Sequence, residues 1–289
     1  MGEIAERDLP GVGENIRVRG VGLLAVISIV LLVYLPSVTS MMTLWSMDGY
    51  RHGYLIPLIS LFLLFKQRKQ FLAVHWSPSW TGLGLLSTSV LLWVVAKVTY
   101  VQVVEHLALI LILNTFVMTV VGVNAYRIIL FPLAYLLFAL PAGMSVVPAL
   151  MNITADISAA GLNLMGIPVL REGMLLTLSH GVFEVADVCS GFRYLNAGLA
   201  LGVLAAYLLF ESPWRRIGYV AMVAVAFIVT NGVRAFAVMV VANASHMKHF
   251  VGYDHVLFGN ILFIVVFLAL IWLGERYSDR KPLGSGYAH

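Results

Sequence analysis

The stretch Val182–Leu209, VFEVADVCSGFRYLNAGLALGVLAAYLL, decides how the chain is read. It opens with a short polar and apolar alternation of β texture and closes with an apolar run long enough to cross a bilayer. Between them lies the one cysteine of the chain, in Cys189-Ser190-Gly191-Phe192-Arg193. A lone cysteine is most often a small buried hydrophobe. Here its polar neighbours and the helix start beside it place the thiol between an extramembrane hairpin and a membrane helix. The positive end of a helix favours a thiolate, and a nucleophile so placed can attack a substrate at the water–lipid boundary.

Composition sets the frame around this stretch. Of 289 residues, 61% are hydrophobic and only 11% charged, against about 25% charged in a soluble domain. With a mean hydropathy of +0.93 and several long apolar runs, the chain is an integral membrane protein. The net charge of +4 is the cytoplasmic Lys/Arg excess of such a protein, and no basic cluster is large enough to suggest nucleic-acid binding. One cysteine excludes an internal disulfide. No metal-ligand spacing and no cofactor motif stands out.

Eight apolar runs read as spans of an all-α polytopic fold: 21–38, 54–65, 81–98, 104–121, 128–140, 194–210, 217–241 and 256–274. The stretch 146–167, bounded by Pro148 and Pro168, is weakly polar and reads as a helix lying along the membrane surface. Leu175–Leu178 and Val182–Val185, flanking Ser179-His180-Gly181, read as a short β-hairpin before the sixth span. Residues 1–20 form an N-terminal segment, 21–276 the transmembrane domain and 277–289 a tail. With the N-terminus inside, the inner segments hold 12 of the 18 Lys/Arg. Both termini are thus expected in the cytoplasm, and the hairpin and Cys189 on the outer face. His180, His246, His249 and His106 read as interface residues, and Trp76 and Trp80 as aromatic-belt anchors.

Depth along the helices singles out further residues. Arg234 lies 17 residues after Ile217, the inner start of the seventh span. At 1.5 Å per residue this is roughly 26 Å up the helix, near the outer edge of a core about 30 Å thick. His255 opens the eighth span from the outer side. Cys189, Arg234 and His255 therefore reach one depth on three successive spans. Each has a plain alternative: Arg234 can snorkel to headgroups, and His255 can cap its helix with Asp254. Asn231, three residues before Arg234 on the same helical face, favours a polar pocket.

Several strings together resemble the exosortase family. They are Glu184-Val185 through Cys189-Ser190-Gly191-Phe192-Arg193-Tyr194-Leu195, Asn231-Gly232-Val233-Arg234-Ala235, Asp254-His255-Val256-Leu257-Phe258-Gly259 and the early His52-Gly53-Tyr54-Leu55. The likeness is greatest to the exosortase A type linked with exopolysaccharide clusters, and runs from about residue 20 to 276. It implies a bacterial inner-membrane cysteine protease and transpeptidase without cofactor. Its partners would be the lipid bilayer and exported proteins whose C-termini carry a Pro-Glu-Pro motif, a membrane helix and a basic tail. By this resemblance Cys189 matches the nucleophile, Arg234 the essential arginine and His255 the third catalytic residue, either as the base or in support. Supporting or substrate-binding roles fall to Arg193, Asn231, Glu184, Asp254 and His52. Many exosortase A-like chains carry a further C-terminal domain. This one ends soon after Pro282, so any such activity is expected from a separate exopolysaccharide-associated partner. A rival reading is a non-catalytic scaffold or transporter in exopolysaccharide export, in which Arg234 and His255 would line a path near the midplane.

Overall fold

The computed structural model describes the backbone of residues 12–246 and 254–279, and the side chains of 20–246 and 257–279. The fold is all-α and polytopic with one small sheet. Among the described residues, six helices are long and apolar enough to cross a membrane, or seven if a bent pair forms one span. This revises the expected eight. The second run continues through Lys66, Arg68 and Lys69 as part of a longer helix, α3 (Leu55–Ala73), and is too charged to count; the fifth, α6 (Val123–Tyr135), is too short.

The first expected span is also broken. Helix α1 (Val12–Val33) ends at Tyr34, and α2 (Leu35–Trp45) continues at a bend of 79°. Pro36 in the first turn of α2 explains the break: it has no N–H to give to the preceding turn, and its ring would clash with the carbonyl four residues back if α1 ran on through it. Apolar content continues across the proline, so hydropathy runs straight through a position where the backbone cannot.

The chain divides into two compact units, Met1–Ala142 and Gly143–His289. In the first, α4 (Trp80–Val98) and α5 (Gln102–Val121) form the most extensive helix pair. Gly82 of α4 sits against the Thr119 backbone, so the absent side chain is what lets these helices close. A buried polar cluster joins α2, α4 and α5. The Glu105 carboxylate accepts from Ser37 Oγ at 2.5 Å and pairs with Lys97 Nζ at 2.9 Å, while Trp93 Nε1 donates to Ser37 Oγ. His106, expected at the interface, is instead wholly buried, its Nε2 bonded to Ser40 Oγ at 3.2 Å. Apart from Glu105, His106 and Asn114, helix α5 is apolar almost all round, so hydropathy alone does not distinguish its protein side from its lipid side.

The second unit is organised along α9 (Pro213–Ala244). Its 32 residues make a helix roughly 48 Å long, more than a bilayer core of about 30 Å requires. Helix α8 (Phe192–Leu209) runs antiparallel to it, with Gly198 against Phe227 and Gly202 against Val223. Helix α7 (Val147–Leu164) runs parallel to it: Thr154 meets Asn231, Gly232 meets Ile157 and Gly161 meets Phe236. Length and composition would let α7 cross a membrane. This corrects the expected surface-lying helix: α7 packs lengthwise against α9, not across it, and is one of the six candidate spans.

Beyond α7 the expected hairpin is present and larger, a three-stranded antiparallel sheet of β1 (Leu170–Glu172), β2 (Leu175–Leu178) and β3 (Gly181–Glu184). Alternation places Leu176 and Leu178 in one core with Leu162 of α7 and Met239 of α9. His180 in the turn hydrogen-bonds the Asn243 side chain. Sheet and hairpin turn thus rest on the C-terminal half of α9. Helix α10 (Asp254–Arg276) packs on α8 and α9.

Candidate active site

Chain leaving β3 passes through one short helical turn, Asp187–Cys189, and reaches α8 two residues later. The turn is closed by Cys189 N–H donating to the Ala186 carbonyl at 2.8 Å. Gly191 then takes φ +78°, a left-handed conformation disfavoured for a residue with a Cβ. It also lies against α9, where an added Cβ would come within 2.7 Å of the Asn231 Cβ. Ser190 is buried and its Oγ accepts from the Phe192 N–H, satisfying one of the open donors at the start of α8. Cys-Ser-Gly is therefore a fitted corner: the thiol before it, a hydroxyl cap within it and a hydrogen atom where the next helix touches.

Asn231 locks that corner. Its Nδ2 donates to the Cys189 carbonyl and to Thr154 Oγ1, both at 2.9 Å, and its Oδ1 accepts from Arg234 Nε at 3.3 Å. One amide joins α7, the Cys189 turn and the arginine. Thr154 was not identifiable as a site residue in the sequence. The only signal was that Thr154 and Ser158, four apart, put two hydroxyls on one face of α7; both are buried. Gly191→Ala is expected to combine backbone strain with this clash and to displace Asn231. A thermal-unfolding scan in detergent should show a loss of about 2 kcal/mol, and an unchanged midpoint would mean that the corner is not rigid.

Cys189 and Arg234 line one cavity of about 70 Å³, with Glu184 and Val185 from the strand side and Val238 and Met239 from α9. A water occupies about 30 Å³ of liquid, so this space suits a peptide group or a side-chain head. Arg234 is only 4% exposed. Among the described residues no carboxylate lies within ion-pair distance of it. A buried guanidinium without a fixed counter-charge is costly and is suited to receive an anion or developing oxyanion. Glu184 is exposed at the end of β3 and accompanies Arg234 in the cavity wall without pairing with it.

The arithmetic of helix rise is matched by contacts. A Cβ on Gly259 of α10 would lie 3.2 Å from Arg234 Cδ and against the Tyr194 hydroxyl of α8, so the three helices meet at one level. Arg193 Nη2 donates to that hydroxyl at 2.6 Å, which in turn donates to Asn260 Oδ1 at 3.1 Å. The Arg193 and Arg234 guanidinium carbons lie 4.6 Å and 6.0 Å from the Tyr194 ring centre. Tyr194 and Asn260 thus join the site's surroundings, although sequence reasoning assigned them no role. His255 and Asp254 fall in the first turn of α10, and their side chains lie outside the described ones. Among the described residues no group of three or more His, Cys, Asp or Glu converges.

His52 stands in the first unit, in the turn Arg51–Tyr54. Burial pushes it below the usual histidine range, partly offset by a hydrogen bond with the Phe138 backbone, which leaves it neutral at pH 7. Beside it Gly53 lies against the Trp45 ring with no room for a side chain. Trp45 Nε1 donates to the Ala139 carbonyl at 2.7 Å.

The family model of the transmembrane exosortase matches residues 44–272. The chain belongs to the transmembrane exosortase family. The match contains every element that builds the Cys189 corner and both residues, Cys189 and Arg234, on the walls of its cavity. No curated protein and no solved structure matches this exosortase.

Proposed function

We propose that this exosortase is a membrane cysteine protease and transpeptidase, acting on exported proteins that end in a Pro-Glu-Pro motif, a membrane helix and a basic tail. The observation that supports it most directly is the shared cavity of Cys189 and the buried Arg234, which has no ion-pair partner among the described residues. In this reading Cys189 Sγ bonds to the substrate carbonyl carbon, and its proton passes to a base. His255 is assigned as that base; it precedes by one helical turn Gly259, the residue that meets Arg234 and Tyr194. The carbonyl oxygen gains the charge and is stabilised by Arg234. Collapse of the intermediate breaks the C–N bond, the leaving amine takes the proton, and a thioester remains. Water or an amine on a glycan or lipid then attacks the thioester and restores the thiol. Glu184 at the rim and Arg193 behind Tyr194 contribute to substrate binding, as do Asn231 and Asp254 in support. His52 is given a supporting role from its own unit.

The exosortase resemblance implies a bacterial inner membrane, and the Lys/Arg bias supports both termini in the cytoplasm and the thiol at the periplasmic face. Reporters fused after Lys69 and after Arg280 should read cytoplasmic, and one inserted near His180 periplasmic. A cytoplasmic signal at His180 would remove the site from the face where exported substrates arrive. Activity itself is tested by co-expression with a protein bearing such a tail, with its new C-terminus read by mass spectrometry. A shortened product or a C-terminal conjugate is expected. An intact tail alongside altered polysaccharide export would favour a non-catalytic export component linked to exopolysaccharide.

A further inference from the structure

The first unit contains a cavity of about 440 Å³ between α1, α2, α3, α5 and α6. Its back wall includes Leu109, Met41 and Leu133, all buried, while Leu24 of α1 and Leu61 of α3 at its edges are each 60% exposed. The cavity is thus a slot that opens sideways through an apolar surface. The 79° bend turns α2 away from the line of α1, and Val38, Met41 and Trp45 of α2 join the lining.

Three properties fix what fits. The polar hydrogens on the lining are already used: Ser60 Oγ donates to the Pro132 carbonyl and Trp45 Nε1 to the Ala139 carbonyl, both at 2.7 Å. Water entering would find no partners, and apolar cavities of this kind stay dry. The volume favours a thin occupant: about 440 Å³ lies beside α5 from Leu109 to Val117, a rise of roughly 12 Å, and a helix about 10 Å across would need about twice that volume over the same length. The flanking exposed leucines belong to helices that a bilayer would surround, so the medium at the opening is hydrocarbon.

We infer that this slot is a binding site for one acyl chain of a bilayer phospholipid, held as an integral part of the first unit. The inference concerns a site separate in sequence from Cys189 and does not depend on the proposed reaction.

The test uses the full-length protein in vesicles containing phosphatidylethanolamine with a photoreactive diazirine near the end of one acyl chain. Labelled residues are identified by peptide mass spectrometry. Surrounding lipid reaches exposed residues such as Leu91 and Leu268 but not the back wall. Label on Leu109, Met41 or Leu133 is therefore the signature of an occupied slot. Leu113→Trp, which places an indole midway along the α5 wall, should abolish the back-wall label and leave Leu91 and Leu268 labelled as before. Leu61→Trp, at the edge, should do the same and decides the matter if the first variant does not accumulate. Absence of back-wall label in the unaltered protein would overturn the proposal. So would back-wall label that persists in whichever of the two variants folds.

Discussion

Cys189→Ser is expected to leave the exosortase folded and inserted while processing of a tailed substrate falls on the order of 10³-fold or more. Loss of the nucleophile from a working catalytic group can cost up to about 10⁶ in turnover, and a serine hydroxyl is far less acidic and less nucleophilic than a thiol. The structure separates this from a folding defect. The fitted corner is held by the Cys189 backbone, through its N–H to Ala186 and its carbonyl to Asn231, and by neighbouring Ser190 and Gly191. None of these contacts uses the sulfur, and no disulfide exists to lose. Pulse-chase analysis of substrate length, with the variant's accumulation measured alongside, provides the check. Normal shortening by the serine variant would eliminate Cys189 as the nucleophile.

Arg234→Lys is expected to fail nearly as badly as Arg234→Ala, by about 10²-fold, the cost of removing one oxyanion donor in other enzymes. Lysine keeps the charge, but the guanidinium does two things at once. Its Nε donates to Asn231, and the same side chain lines the cavity of Cys189. An ammonium has no second nitrogen along its stem. It can approach the Asn231 oxygen or face the cavity, but cannot span both in one planar fork. If Arg234 only reached toward headgroups, lysine would replace it well, and processing above about half of the unaltered level would support that simpler role. Measuring the lysine and alanine variants side by side distinguishes the two.

Much of this site was legible because a helix converts sequence distance into depth. Counting from Ile217 placed Arg234 level with the starts of α8 and α10, and the contacts of Gly259 with Arg234 and Tyr194 agree. The hairpin was legible from its β-prone runs and Gly-containing turn, although β1 escaped notice because three residues carry little periodicity. What escaped altogether depends on which element packs against which. Nothing local in 147–164 specifies that α7 runs alongside α9 in the same direction, so Thr154 could not be tied to Asn231. His106 and Glu105 sit in an apolar helix whose protein-facing side only its neighbours define. The break at Pro36 is different: the proline was visible, and the continuous apolar run obscured its effect.

The clamp on the Cys189 carbonyl has a consequence for the order of events during synthesis. The amide that holds it belongs to a residue 42 positions further along the chain. At about 5–20 residues per second Cys189 is made roughly 2–8 s before Asn231, and Arg234 follows three residues later. During that interval the thiol has neither its anchor nor its cation. A nascent chain that stalls before α9 therefore carries the sulfur without the machinery proposed to use it, and the site becomes competent only after most of the protein has been built.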